Sequence, residues 1–413
     1  MYPGSISDRV NLFHFQYVNK EAKMQSANRG RLLLRNTPFF QLRTGSRDGN
    51  RPVAHDGCGL HPGAEKQVLA ANMTLTQTPG KEFLMQCLPI GSLWSNSCVR
   101  RHPANPILSP KDIPYSVALT SNAGVTKYNG EYVMVFRIDH GSFDAKKIEP
   151  FKTSLGLATS KDGTRWEVRP KPCFAWEDDH VRRVYDPRLV VLNGRCHMCF
   201  AADTWKHGTR SGIAVTEDFE KFEVLGLTTS ENRNLVLFPE IVDGLYYRLE
   251  RPFHHPGYWT HIWIGASPDL RYWGDYSLLL GFEQVPFANF KIGPAAPPIR
   301  TQCGWLTSFH AVDLDERRPK RGWERDWQMR YTAGLMLLDL QDPRKILGLS
   351  KEPLLVPEAS YEIDGGYRPD VIFPGGMILE DSGEVKIYYG AADTHVCLAT
   401  AHVNDLLGLC RAC

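Results

Sequence analysis

Val184-Tyr185-Asp186-Pro187-Arg188-Leu189-Val190-Val191-Leu192-Asn193-Gly194-Arg195-Cys196-His197-Met198-Cys199-Phe200-Ala201 reads as one β-hairpin. Two apolar runs flank Asn193-Gly194, and an Asn-Gly pair between apolar runs is a strong hairpin signal, because both turn positions need φ > 0. The hairpin enters through Asp186-Pro187-Arg188. Proline fixes its own φ and biases the residue before it toward an extended shape. That predicts a rigid mouth with an acid and a base held beside it. Taken alone, the stretch reads first as an Asp-Pro turn with a surface arginine, and the rest of the chain changes that reading.

The same unit recurs on both sides. Ala123 to Tyr128 and Glu131 to Arg137 flank Asn129-Gly130, and Leu235 to Val242 and Leu245 to Leu249 flank Asp243-Gly244. A looser copy turns near Gln302-Cys303-Gly304 between Pro298 to Arg300 and Trp305 to His310. A fifth joins Val371 to Leu379 with Glu384 to Tyr389 through Glu380 to Gly383. A further strand follows each hairpin: Leu155 to Ser160, Gly212 to Thr216, Ile262 to Ser267, Thr332 to Leu338 and Val396 to Ala401. The first four end at an acidic turn, and Trp166, Phe222 and Trp273 come just after three of these. Five copies, each about one four-stranded sheet, predict a five-bladed β-propeller over 101–410. The class is all-β, with almost no amphipathic helix to support a βα alternative.

Residues 1–98 show neither period, mixing Arg29, Arg31, Arg35, Arg43, Arg47 and Arg51 with Gly, Asn and Gln. They read as a loosely ordered N-terminal extension not needed for function. The chain has 413 residues and a formal net charge of +2. That balance gives no sign of a nucleic-acid or membrane partner. No apolar run approaches the length of a membrane span, and the first 20 residues lack a signal-peptide core, so a cytoplasmic location is expected. The ten cysteines are scattered. Cys196 and Cys199 have CxxC spacing but no second pair, so free thiols are expected and no metal.

In a propeller the first strand of each blade lines the central channel, so polar residues that differ among copies mark the functional end. These are Ser121-Asn122, Tyr185-Asp186, Asn232-Arg233-Asn234, Asn289 to Lys291 and Arg368 to Asp370. Second strands add Arg137, Asp139, Glu250, Arg251, His310, Asp313 and Asp393. Tyr115, Tyr185, Trp259, Phe290 and Tyr331 are aromatics suited to stacking on a sugar. Carboxylates with aromatics suit a sugar, and a cluster of arginines, a lysine and a histidine suits a phosphate.

Several ordered stretches carry a family resemblance: Asn122 to Val125, Val135 to Asp139, Arg183 to Leu189, Asn232 to Glu240, Arg248 to Pro252, Gly304 to Ala311, Val371 to Gly376 and Tyr388 to Thr394. From about Asn105 to Cys410 the chain resembles the β-mannoside phosphorylases of glycoside hydrolase family 130. The resemblance implies a five-bladed propeller and inverting phosphorolysis of a β-mannoside to α-mannose 1-phosphate. It implies that Asp186 is the catalytic acid, acting through the mannose 3-hydroxyl, and that Arg233, Arg251, Lys291 and His310 bind phosphate. It also implies that Asn122, Arg137, Asp139 and Asp393 line the mannose pocket; Tyr185, Tyr331 and Asp370 join them as candidate substrate-binding residues.

A single acid is chemically sufficient. An inverting hydrolase needs a second carboxylate to activate water, whereas phosphate is already an anionic nucleophile that cations can aim. The resemblance implies inorganic phosphate as co-substrate, no metal or organic cofactor, and a homo-oligomer. Trp176 to Asp179 and Glu283 to Pro286 resemble the branch acting on mannosyl-β-1,4-N-acetylglucosamine and short β-1,4-mannosides. The competing readings are a β-mannoside hydrolase on the same propeller and a non-catalytic sugar-binding propeller.

Overall fold

The computed structural model describes residues 93–410, apart from 142–151, 254–260, 321 and 325–326. Trp259 and almost all of the N-terminal extension lie outside the described residues. The described chain forms five antiparallel sheets arranged as the blades of a propeller. Blade one holds Leu119–Tyr128, Glu131–Asp139, Thr153–Ser160 and Glu167–Val168, and blade two Val181–Leu192, Arg195–Thr204, Thr209–Thr216 and Glu223–Leu227. Blade three holds Asn232–Leu237, Tyr246–Pro252, Ile262–Ser267 and Gly274–Leu280. Blade four holds Lys291–Pro294, Trp305–Leu314, Met329–Leu338 and Ile346–Leu349. Blade five holds Ile372–Leu379, Glu384–Ala391 and His395–His402. Its outer strand comes from the other end of the fold: Arg100 pairs with Thr400 and Arg101 with Ala399. The Arg101 guanidinium anchors that closure by gripping buried Glu362 at 2.8 and 2.9 Å.

Local chemistry explains the blades. Asn129-Gly130, Asn193-Gly194 and Asp243-Gly244 all have positive φ, as the two-residue hairpin requires. Each acidic turn works by one device. Asp162 Oδ1 accepts from the amides of Thr164 and Arg165 at 2.7 and 2.9 Å, and Asp218, Asp269 and Asp339 do the same for their own turns. Inside three blades a phenylalanine on the second strand lies over a glycine on the third: Phe136 over Gly156, Phe200 over Gly212, Phe309 over Gly334. A Cβ at each of those glycines would meet the ring at 2.4 Å. The third hairpin departs from expectation. Its first strand ends at Leu237, ahead of Pro239, and only the Val242–Leu245 bridge continues it. Proline has no N–H to offer the ladder.

Cys196 and Cys199 are buried free thiols on strand Arg195–Thr204, in separate apolar clusters. Three residues apart on a strand, their side chains leave opposite faces, which explains why the spacing makes no pair. No helix among the described residues is long and apolar enough to cross a membrane.

Candidate active site

Three inner strands break register at the same place. The jumps fall between Ser121 and Gly124, Tyr185 and Arg188, and Arg233 and Val236. Each is a β-bulge, which re-aims a side chain and interrupts the ladder. At each bulge one residue has left-handed backbone: Asn122 at φ 50°, Asp186 at 54° and Asn234 at 61°. Asn and Asp tolerate that region best among residues with a Cβ. The proline rule predicted an extended Asp186; the bulge overrides it and turns the carboxyl toward the channel. Gly390 leaves room for the arrangement, since a Cβ there would lie 2.2 Å from Asn122 Oδ1.

The bulges open onto a small, mostly polar cavity of about 30 Å³. Its wall includes eight of the residues expected from the sequence: Asn122, Arg137, Asp186, Arg233, Arg251, His310, Tyr331 and Asp393. It also includes Asn234, Trp327, Arg368, Val371 and Phe373. Asp186 is almost fully buried. Its Oδ1 accepts from Asn122 Nδ2 at 2.9 Å and its Oδ2 from Arg233 Nη2 at 3.0 Å, with Arg137 Nη1 3.8 Å from Oδ1. Burial raises its pKa, but Arg233, Arg137 and Arg188 outweigh burial and hold it down to about 2.

One set of cations gathers around Arg251 and His310. Arg251 Nη1 lies 3.2 Å from His310 Nε2, and the Lys291 ammonium sits over the Phe290 and Tyr331 rings at 5.1 and 5.5 Å. Burial and the neighbouring arginines push Lys291 and His310 well below their usual pKa values. Arg251 falls to about 10 through burial and the charge of Arg233. Several buried atoms here have no hydrogen-bond partner: Arg233 Nε, Arg251 Nε, His310 Nδ1 and both side-chain polar atoms of Asn234. Buried donors left unmade cost about 1–3 kcal/mol each, so a cluster of them points to a ligand that completes them.

A second set is paired. Arg137 holds Asp139 through two bonds of 2.8 and 3.1 Å, and Thr153 donates to the same carboxylate. Arg368 bonds Asp393 at 3.3 Å and also Glu324. Burial raises the Asp393 pKa despite Arg368 and Arg137.

Four expected site residues stand outside the cavity wall. Asp139 backs Arg137. Lys291 stands behind His310 and Arg251. The Asp370 main chain bonds Tyr331 and Glu362, which seats blade five against blade four. Tyr185 offers no face to a sugar: the guanidinium groups of Arg137, Arg183 and Arg233 lie 5.0–5.2 Å from its ring centre, and its hydroxyl donates to Asp203 at 2.8 Å. Tyr331 reaches the cavity but stacks between Trp327 and His310. Tyr115 and Phe290 are absent from the wall. Glu250 and Asp313 are taken up by Arg248 and by Arg318 and Arg330. Among the described residues no cluster of His, Cys, Asp or Glu could hold a metal ion.

Residues 98–412 match the model of the glycoside hydrolase 130 family, described as beta-1,4-mannooligosaccharide phosphorylase. A beta-1,4-mannooligosaccharide phosphorylase from Ruminococcus albus is 31% identical over 74% of this chain and 89% of its own. A beta-1,2-mannobiose phosphorylase from Listeria innocua is 29% identical over 75% of this chain and 97% of its own. The solved structure of a Listeria innocua beta-1,2-mannobiose phosphorylase with beta-1,2-mannobiose superposes with a TM-score of 0.65. It is 27% identical, covering 76% of this chain and 99% of that one.

Proposed function

The chain belongs to glycoside hydrolase family 130, a family of mannoside phosphorylases, and from that membership and the cation-lined cavity we propose that it cleaves a β-1,4-mannoside with inorganic phosphate, inverting the anomeric carbon to give α-mannose 1-phosphate. One observation carries the reading. A buried carboxylate, Asp186, shares Arg233 with a nest of partnerless polar groups on Arg233, Arg251, His310 and Asn234. Such donors match the oxygens of a phosphate held in line with C1, and arginine forks suit them best.

In this reading Arg233, Arg251 and His310 touch phosphate, and Lys291 adds charge from behind. Asn122, Arg137, Arg368 and Asp393 hold the mannose hydroxyls, and Asp186 delivers the leaving-group proton. The reading includes no metal or organic cofactor, a homo-oligomeric assembly and a cytoplasmic location. The linkage rests on the description of the matching family and on the Ruminococcus albus relative; a relative acting on β-1,2-mannobiose is about as similar. Incubation with β-1,4- and β-1,2-mannobiose in phosphate tests it. Faster release of mannose 1-phosphate from the 1,4 isomer is expected, and a preference for the 1,2 isomer overturns the linkage.

A further inference from the structure

The acid of the proposed reaction has no proton to give. Both Asp186 oxygens already accept hydrogen bonds, from Asn122 on blade one and Arg233 on blade three, and Arg137 stands 3.8 Å away. A carboxyl that accepts on both oxygens beside guanidinium groups is ionised. Four of the blades contribute to that field. Arg188 lies on its own strand, Arg233 and Arg251 on blade three, Arg137 on blade one and Asp393 on blade five. The Asp393 carboxyl opposes the cations. The four guanidinium groups prevail, and the carboxyl of the free enzyme stays charged at neutral pH.

Arg233 joins the two halves of the site. It donates to Asp186 through Nη2 while its Nε is buried without a partner, and it shares the cavity wall with Arg251 and His310. An anion entering that nest competes with Asp186 for the same guanidinium. Resting on the phosphorylase reading, we propose that phosphate and the catalytic proton bind together: phosphate draws Arg233 away from Asp186, and the proton of the phosphate monoanion comes to rest on Asp186.

The step balances. The O–H bond of the monoanion breaks, an O–H bond forms on Asp186, and phosphate is left as the dianion, the better nucleophile. Turnover then moves the Asp186 proton to the leaving oxygen as the C1–O bond breaks. A phosphate oxygen bonds C1, and Asp186 returns to a carboxylate held by Arg233. No proton is exchanged with solvent over the cycle. This explains why one arginine serves both acid and nucleophile: the acid is armed only when the nucleophile is in place, which guards the site against hydrolysis.

Infrared difference spectroscopy of the full-length enzyme, with and without inorganic phosphate near neutral pH, reads the proton directly. A new protonated-carboxyl C=O band is expected on adding phosphate. It is expected to vanish in Asp186→Asn and to persist in Asp393→Asn, which removes the other carboxyl of the cavity wall. No new band, a band that survives in Asp186→Asn, or a band lost only in Asp393→Asn overturns the proposal. A proton taken up by His310 or Lys291 instead gives no carboxyl band and counts as the first of these. Phosphate-dependent release of mannose 1-phosphate by the same preparation separates this inference from the reading beneath it. Turnover without the band sinks the inference alone, and turnover indifferent to phosphate sinks the phosphorylase reading.

Discussion

Arg233 Nη2 stands 3.0 Å from Asp186 Oδ2, so one guanidinium ties the carboxylate to the cations of the same cavity. Asp186→Asn keeps the hydrogen-bonding shape but removes the charge that competes for Arg233. Turnover is expected to fall by at least about 10²–10⁴-fold, the usual contribution of a positioned acid. Phosphate affinity by calorimetry is expected to hold or rise. Weaker phosphate binding with intact far-UV circular dichroism would show that Asp186 builds the nest rather than competing with it.

Tyr185 is a positioning residue. Its ring packs against Arg137, Arg183 and Arg233, and each such contact is worth about 0.5–2 kcal/mol. Tyr185→Phe keeps the ring and loses only the bond to Asp203. Tyr185→Leu loses the platform. The Leu variant is expected to raise KM for phosphate several-fold and lower kcat, with Phe within about threefold of the parent. Equal damage from both substitutions in steady-state kinetics would assign the role to the hydroxyl instead.

Arg188 pins the centre of the ring. It is fully buried and donates to the carbonyls of Pro187, Ala295 and Pro374, which belong to blades two, four and five. Arg188→Met removes all three donors in a side chain of similar length. Leaving buried carbonyls unmet costs about 1–3 kcal/mol apiece, so for three of them a loss of at least about 3 kcal/mol is expected in urea unfolding. A loss below about 0.5 kcal/mol would leave the ring held by blade packing alone.

How far the sequence shows this site depends on how local the cause is. The hairpins were legible because Asn-Gly turns declare themselves within two residues, and the bulge residues Asn122 and Asp186 stood out as polar side chains inside apolar strands. Asn234 has the same signal, beside Arg233, and went unassigned because Arg233 drew the chemical reading. Arg368 was visible as a polar position, but its partners Asp393, Glu324 and Trp327 lie far from it in the chain, the Trp327 contact at 4.7 Å joining residues 41 apart. The two-residue outer strand Arg100–Arg101 is too short to show a period, and its partner lies at the other end of the propeller. Tyr185 and Tyr331 read as sugar platforms because sequence shows an aromatic ring, not what already covers its faces.

Acid stability follows from the same carboxylate. The folded-state pKa of Asp186, about 2, lies below the ordinary carboxylate value. A depressed carboxyl contributes stability that is complete above the unfolded pKa, near 4, and is lost as pH falls toward the folded value. The contribution is about 2 kcal/mol by linkage. Unfolding free energies measured from about pH 6 down to about pH 3 are expected to decline more steeply for the parent than for Asp186→Asn. Parallel curves would place the carboxyl outside the cation field.

The account stands or falls on whether phosphate is the nucleophile. Phosphorus-31 NMR of the enzyme with β-1,4-mannobiose, run once with inorganic phosphate and once in a phosphate-free buffer, reads this in one experiment. Mannose 1-phosphate of the α configuration is predicted in the first tube, and no breakdown of the disaccharide in the second. Free mannose appearing at the same rate in both tubes, with no phosphate ester, would contradict the account.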